Sequence, residues 1–107
     1  MRPAAGTVDV FHAISDPNRR RLLDLLASGE KPVQELAEDF DITLAAVSQH
    51  LGVLREAGLV TSRARGRQRL YRLQPAGLRA VHDWTARYRR FWRNRVKRLR
   101  NFLDKKA

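Results

Sequence analysis

The sequence predicts a mainly α fold with one small β-hairpin. Three observations carry that prediction. Helix punctuation recurs in the first half, at Asp16-Pro17, Thr43 and Gly58. Two short extended runs, Leu59 to Arg65 and Gln68 to Leu73, flank Arg65-Gly66-Arg67. After Pro75, apolar residues return at gaps of mostly three and four for nearly thirty residues, which is the helical period.

Each element has a local reason. Thr7 is the expected cap of a short first helix, Val8 to Ile14. Asp16 caps the second and Pro17 takes its first position, where the missing N–H costs nothing. That helix runs to about Ala27, carries Leu22, Leu23, Leu25 and Leu26, and stops at Gly29. Pro32 opens a short third helix, Val33 to Asp39, with Val33, Leu36, Ala37 and Phe40 inward. Asp41-Ile42 is a tight connection. Thr43 caps a fourth helix that ends near Ala57, with Gly58 as its stop. A glycine near the tip suits the turn of a hairpin spanning 59–73. Pro75 starts a long last helix, to about residue 104. A short helix, a tight turn and a second helix make a helix-turn-helix; the basic hairpin behind it makes it winged.

The chain has 107 residues, the size of one domain, and no internal repeat. The formal net charge is +11, and it is unevenly placed. Residues 1–57 carry 6 basic and 9 acidic side chains, 58–74 carry 5 basic and none acidic, and 75–107 carry 11 basic and 2 acidic. Such a balance favours an anionic partner, nucleic acid first. There is no cysteine, which removes disulfides, thiol catalysis and thiolate metal sites. No apolar run is long enough to span a bilayer, and MRPAAGTVDVF lacks the apolar core of a signal peptide. A cytoplasmic protein without membrane contact is the expectation. No Ser-His-Asp spacing or glycine-rich phosphate loop appears, so no catalytic residue, cofactor or enzyme activity is expected.

The fourth helix has two faces. At 100° per residue, Leu44, Val47, Leu51 and Leu54 fall on one side and pack inward. Ala45, Gln49, Gly52 and Glu56 fall opposite, with Ser48 and Val53 at the edges. A recognition helix enters the major groove by its N-terminal part. Small residues permit close approach there, and Gln49 has the donor and acceptor an adenine edge needs. Ser48 can bond a base or a phosphate. Thr43 and the free N–H groups at the helix start suit a phosphate. His50 lies on the flank of the inward face and reads as a packing histidine. Against all this stands the plainer reading of an ordinary polar surface helix.

SRARGRQR puts Arg63, Arg65, Arg67 and Arg69 within seven residues. That pattern reads as a wing lying along phosphates, with Arg65 or Arg67 able to enter the minor groove. The last helix carries Trp84, Tyr88, Phe91, Trp92, Val96, Leu99 and Phe102 in its stripe. About 28 helical residues span about 42 Å, more than one small domain covers, so the stripe calls for a partner helix. The arginine run YRRFWRNRVKRLR reads first as a solvated face, with extra DNA, an acidic partner or an anionic membrane surface as the alternatives.

Residues 8–74 resemble the ArsR/SmtB family of bacterial winged-helix repressors. DPNRRRLLDLL, AVSQHL, VLREAGLV and GRQRLYRL carry the resemblance, and the aromatic tail looks like the non-metal, autorepressor-like branch. The resemblance implies a homodimer held by the first and last helices, with Val10 and Phe11 joining the stripe residues named above. It also implies a dyad-symmetric operator in double-stranded DNA, and repression by excluding polymerase. By residue, it places Thr43, Ser48 and Gln49 on recognition contacts and Arg65 and Arg67 on the wing tip. Relatives often have Gln and Pro where this chain has Leu44 and Ala45, and Lys where it has Gly52, which puts one base and one phosphate contact in question. Metal-sensing relatives use Cys-x-Cys where this chain has Pro32-Val33-Gln34, or Asp and His on the last helix, where Pro75, Gly77, Tyr88 and Phe91 align. No metal site is therefore expected; His82-Asp83 is a weak pair, because adjacent helical residues diverge. No effector, small molecule or protein, is named by the resemblance. Two rival readings also fit the charge: a non-specific nucleic-acid-binding or architectural protein, and an interaction module on a winged fold that has lost DNA specificity.

Overall fold

The computed structural model describes residues 8–106. The elements run α1 (Val10–Ala13), α2 (Pro17–Leu26), β1 (Lys31–Pro32), α3 (Val33–Ala37), α4 (Leu44–Glu56), β2 (Val60–Arg65) and β3 (Gln68–Leu73). A 3-10 turn at Pro75–Leu78 follows, then α5 (Arg79–Ala86) and α6 (Arg89–Lys106).

Helix α1 begins at Val10 because the Asp9 carboxylate accepts from the Phe11 N–H at 2.7 Å. The expected cap, Thr7, lies outside the described residues. Asp16 caps α2 by accepting from the Arg19 N–H at 3.0 Å, with Pro17 in the first turn. Burial works to raise the Asp16 carboxyl, but the Arg19 N–H and the neighbouring His50 and Arg19 side chains outweigh it and hold it below its ordinary value. Thr43 caps α4, accepting from the Ala46 N–H at 3.0 Å. At the other end of α4, Leu59 N–H donates to the Leu54 carbonyl and Gly58 N–H to the Arg55 carbonyl. Gly58 has φ 78°. This paired closure with a left-handed glycine is a Schellman stop, and it turns the chain straight into β2.

Three findings depart from the sequence reading. First, the sheet has a third strand. The chain is extended over Lys31–Pro32 and pairs antiparallel with β3, Lys31 opposite Tyr71 and Pro32 opposite Leu70. The strand order is β1-β3-β2, so the wing is rooted in the body by its inner strand. Proline tolerates this place because an edge strand can spare its N–H. Second, the last helix is not continuous. A 3-10 turn opens it, and it breaks at Arg87 and Tyr88, where Arg87 N–H donates to the Trp84 carbonyl and Tyr88 N–H to the Thr85 carbonyl. These shorter-range bonds tighten the chain by one turn and let it restart as α6. Third, Leu44 is exposed (48%) rather than inward. It stands in the first turn of α4, where the helical period points it to the apolar side but no core residue covers it.

The core gathers Leu22 and Leu26 of α2, Leu36 of α3, Val47, Leu51 and Leu54 of α4, and Leu59, Val60 and Tyr71 of the hairpin. Val33, Ala37, Phe40 and Leu78 close its margins. Arg19 ties the first helix to this body. Its Nε donates to the Ala13 carbonyl at 2.6 Å and its Nη2 to the His12 carbonyl at 3.3 Å, while Nη1 lies 3.3 Å from His50 Nδ1. The Ala13 carbonyl at the end of α1 is thus taken up by a side chain of α2 that also reaches α4, while the His12 carbonyl accepts from the Ser15 N–H and hydroxyl as well. His50 is half-buried at this junction, the packing role expected of it.

Candidate nucleic-acid interface

The inner side of α4 is fixed by Val47, Leu51 and Leu54, each fully buried. That leaves Ala45, Ser48 and Gln49 exposed on the outer side, near the free N-terminal end. Thr43 is exposed too; its oxygen serves the cap, so its hydroxyl proton remains to donate outward. Gly52 continues this face, and a methyl built there would meet nothing within 4 Å. No acid interrupts the face before Glu56. Its residues are small or able to hydrogen-bond, and flat enough for close approach.

The wing is a two-residue hairpin. Arg65 pairs with Gln68 across Gly66-Arg67, and Gly66 has φ 61° while no non-glycine residue has positive φ. Positive φ at the first central position alone is the pattern of a type II′ turn, which suits the twist of the strands. Register then divides the four expected wing arginines. Arg63 faces Leu70, Arg65 faces Gln68 and Thr61 faces Arg72, so Arg63, Arg65 and Arg72 share the outer face of the sheet. Arg69 pairs with Ala64 on the other face and donates to the Ser62 hydroxyl at 2.9 Å. Arg67 stands in the turn itself. Arg65 and Arg67 are exposed and form no ion pair among the described residues.

Arg63 is already engaged. Its Nε donates to Glu30 Oε2 at 2.9 Å and its Nη2 to Glu30 Oε1 at 2.8 Å. This hydrogen-bonded pair holds the Glu30 carboxyl below its ordinary value, against the opposing effect of burial; Arg72 and Arg65 add to the lowering from nearby. The same pair raises the Arg63 guanidinium further. Glu30 and Arg72 were missed in the sequence. Counting by twos along the hairpin places Arg72 with Arg63 and Arg65, whereas nothing local connects residues 30 and 63.

The expected dimer residues form a second surface. Phe11 of α1 meets Trp84 of α5 edge-on at 5.7 Å between ring centroids. Trp84 meets Tyr88 at 5.8 Å, and Tyr88 meets Phe91 at 6.2 Å across the helix break. The ladder continues into Trp92, Val96, Leu99, Phe102 and Leu103, and every one of these is about half exposed or more. Val10 is half-buried beneath it. Neither α5 nor α6 buries a single residue. Helix α6 carries nine basic side chains and one acid, Asp104, set mostly opposite the apolar stripe at 100° per residue. Among the described residues no helix is long and apolar enough to cross a membrane.

His82 and Asp83 do approach, Nδ1 to Oδ1 at 3.4 Å, contrary to the divergence expected of neighbours. Both are well exposed, and Asp83 also lies 3.8 Å from Arg79 Nε. Among the described residues no group of three or more His, Asp or Glu side chains is placed to hold a metal ion.

Comparison with known proteins agrees with this geometry. Residues 16–62 match the model of the bacterial regulatory protein arsR family. The chain is 38% identical over 94 residues to an HTH-type transcriptional regulator of Mycobacterium tuberculosis, spanning 88% of this chain and 85% of that one. It is 37% identical over 76 residues to the transcriptional repressor SdpR of Bacillus subtilis, covering 71% and 84%. Among solved structures, a possible transcriptional regulator for arsenical resistance superposes with a TM-score of 0.69 at 46% identity, over 87% of this chain and 94% of that one. A homodimeric winged helix-turn-helix DNA-binding domain from Mycobacterium bovis does so with a TM-score of 0.61 at 31% identity, over 75% and 77%. A helix-turn-helix with a rooted basic wing, sharing this sequence along most of its length with such regulators, leaves one assignment: the chain belongs to the arsR family of bacterial regulatory proteins.

Proposed function

We propose that the protein is a homodimeric, sequence-specific transcriptional repressor acting on a dyad-symmetric operator in the cytoplasm. The observation that carries this reading is the outer face of α4. Ala45, Ser48 and Gln49 stand exposed beyond a capped N-terminus, on a helix locked by Val47, Leu51 and Leu54. In the reading, this end of α4 enters the major groove. Gln49 bonds a base edge, Ser48 a base or a phosphate, and Ala45 lets the helix come close. Thr43 donates to a phosphate. Arg65 and Arg67 take the flanking backbone or minor groove, Arg69 adds to them from beside the wing tip, and Arg63 joins once Glu30 is displaced. Binding blocks polymerase; no catalytic step is involved.

The exposed aromatic ladder supports the second half of the reading. A continuous apolar surface of this kind marks a protein interface. Pairing Phe11 and the stripe of α5 and α6 with a second copy covers it and leaves the basic side of α6 in solvent. It also sets two recognition helices at a fixed separation, about 34 Å for half-sites one turn apart. The similar winged helix-turn-helix domain that is a homodimer supports the pairing of two copies.

The test is Gln49→Ala. Binding to a selected operator should lose about 1–3 kcal/mol of discrimination at one base pair, with binding to unrelated duplex unchanged. Unaltered discrimination at every base pair would show that this face does not read sequence.

A further inference from the structure

The outer face of the wing holds three arginines, 63, 65 and 72, brought side by side by the β2–β3 register. Residues 58–74 contain no acid of their own. Among the described residues, the carboxylate paired on this face arrives from elsewhere. Glu30 follows Gly29, whose φ of 142° turns the chain out of α2, and it reaches across to β2. Its two oxygens receive Arg63 Nε and Nη2 at 2.9 and 2.8 Å. The carboxylate side chain is 26% exposed and the arginine 59%, so the pair is open to solvent and to other anions.

Two parallel N–H donors to two coplanar oxygens is the fork by which arginine also binds a phosphate. We propose that Glu30 is a built-in phosphate mimic: it occupies the Arg63 guanidinium in the free protein and withholds that cation from sequence-independent DNA binding. This rests on the DNA-binding reading above. A phosphate that meets Arg63 has to displace Glu30, and the displaced carboxylate stays close to the backbone and repels it. The net gain from that contact is therefore near nil on arbitrary DNA. Only a complex already held by the α4 contacts keeps the phosphate beside Arg63 long enough for the exchange. Specificity is a difference between affinities, and weakening the wrong complex raises it as surely as strengthening the right one. Arg65 and Arg67, free of such a partner, supply the residual non-specific attraction.

The experiment compares the full-length wild type with Glu30→Gln on a fluorescein-labelled duplex of arbitrary sequence, by anisotropy across a range of salt concentrations. Glu30→Gln should bind about three- to tenfold tighter at low salt. Its log K against log salt should steepen by about 0.9, the signature of one more neutralised phosphate. Adding Arg63→Ala to Glu30→Gln should abolish both changes. Glu38→Gln, which removes an exposed acid from another surface, should produce neither. A purely structural tie between the α2–β1 loop and the hairpin would instead lower the melting temperature in either single variant and leave the salt slope alone. An unchanged or weaker affinity and slope in Glu30→Gln, with wild-type DNA binding intact, overturns the proposal. A gain that survives in the double variant overturns it as well, because Glu30 then acts without Arg63. Absence of duplex binding by the wild type itself overturns the parent reading, and the proposal with it.

Discussion

Alanine in place of glycine should act in opposite directions at positions 77 and 52. Gly77 belongs to the 3-10 turn that carries the chain from the wing to α5, and that turn crosses the Schellman stop of α4. A methyl on Gly77 would overlap the Gly58 carbonyl oxygen, lie 2.9 Å from its carbon and crowd the Leu59 side chain at 3.1 Å. The opposing atoms are backbone, so no rotamer relieves the clash. Moving the turn away strains the Gln74 N–H bond to the Leu59 carbonyl, 2.8 Å, and withdraws Leu78 from the margin of the core. Overpacking of this kind costs about 1–3 kcal/mol, and rigid neighbours put it at the upper end. For a domain near this size that lowers the melting temperature by about 10–20 °C. Gly52 lies inside α4 with open space where its Cβ would be, so alanine there should stabilise by about 1 kcal/mol through helix propensity alone. The assay is thermal unfolding by circular dichroism, all proteins at one concentration, since a dimer's melting temperature depends on concentration. A Gly77→Ala protein melting within about 3 °C of wild type would refute the close approach of the two backbones.

Other outcomes follow from the same structure. Asp16→Ala removes the cap of α2 and should cost about 1 kcal/mol at neutral pH. The folded-state carboxyl lies below its unfolded value, so its contribution is present above the unfolded pKa and is lost as pH falls through the folded one. The difference in urea midpoint between Asp16→Ala and wild type should accordingly shrink below about pH 4. Trp92→Glu places a charge in the middle of the exposed stripe; sedimentation should show a shift toward monomer, and operator binding should weaken with it. Arg65→Ala or Arg67→Ala should weaken all duplexes alike and flatten the salt dependence by about one phosphate, an effect read in the same anisotropy titrations.

Features written in a few adjacent residues were legible before any coordinates. Asp16-Pro17 and Thr43 start helices because a side-chain oxygen is at hand for the first free N–H groups. Gly58 and Gly66 end and reverse the chain because glycine takes positive φ cheaply. The outer face of α4 followed from the 100° period once its inner face was recognised. Features that depend on distant partners were not legible. Lys31–Pro32 becomes a strand only because β3 runs beside it. The Arg19 clamp needs the end of α1 and His50 of α4 brought together. Glu30 and Arg63 are separated by the whole helix-turn-helix. The break at Arg87 and Tyr88 carries neither proline nor glycine, so propensity gave no warning of it. Leu44 shows the limit of periodicity: the period assigns a direction, and only the packed structure decides whether anything lies there.

The central claim is that the α4 face reads sequence, and selection from a random duplex library with the purified full-length protein tests it most directly. The account predicts enrichment of a two-fold symmetric site, its half-sites about 10 base pairs apart centre to centre. That site should be bound at least a thousandfold more tightly than unrelated duplex at physiological salt. Tight retention of the library with no motif enriched over the input would contradict it, and would assign the charge of this chain to non-specific nucleic-acid binding.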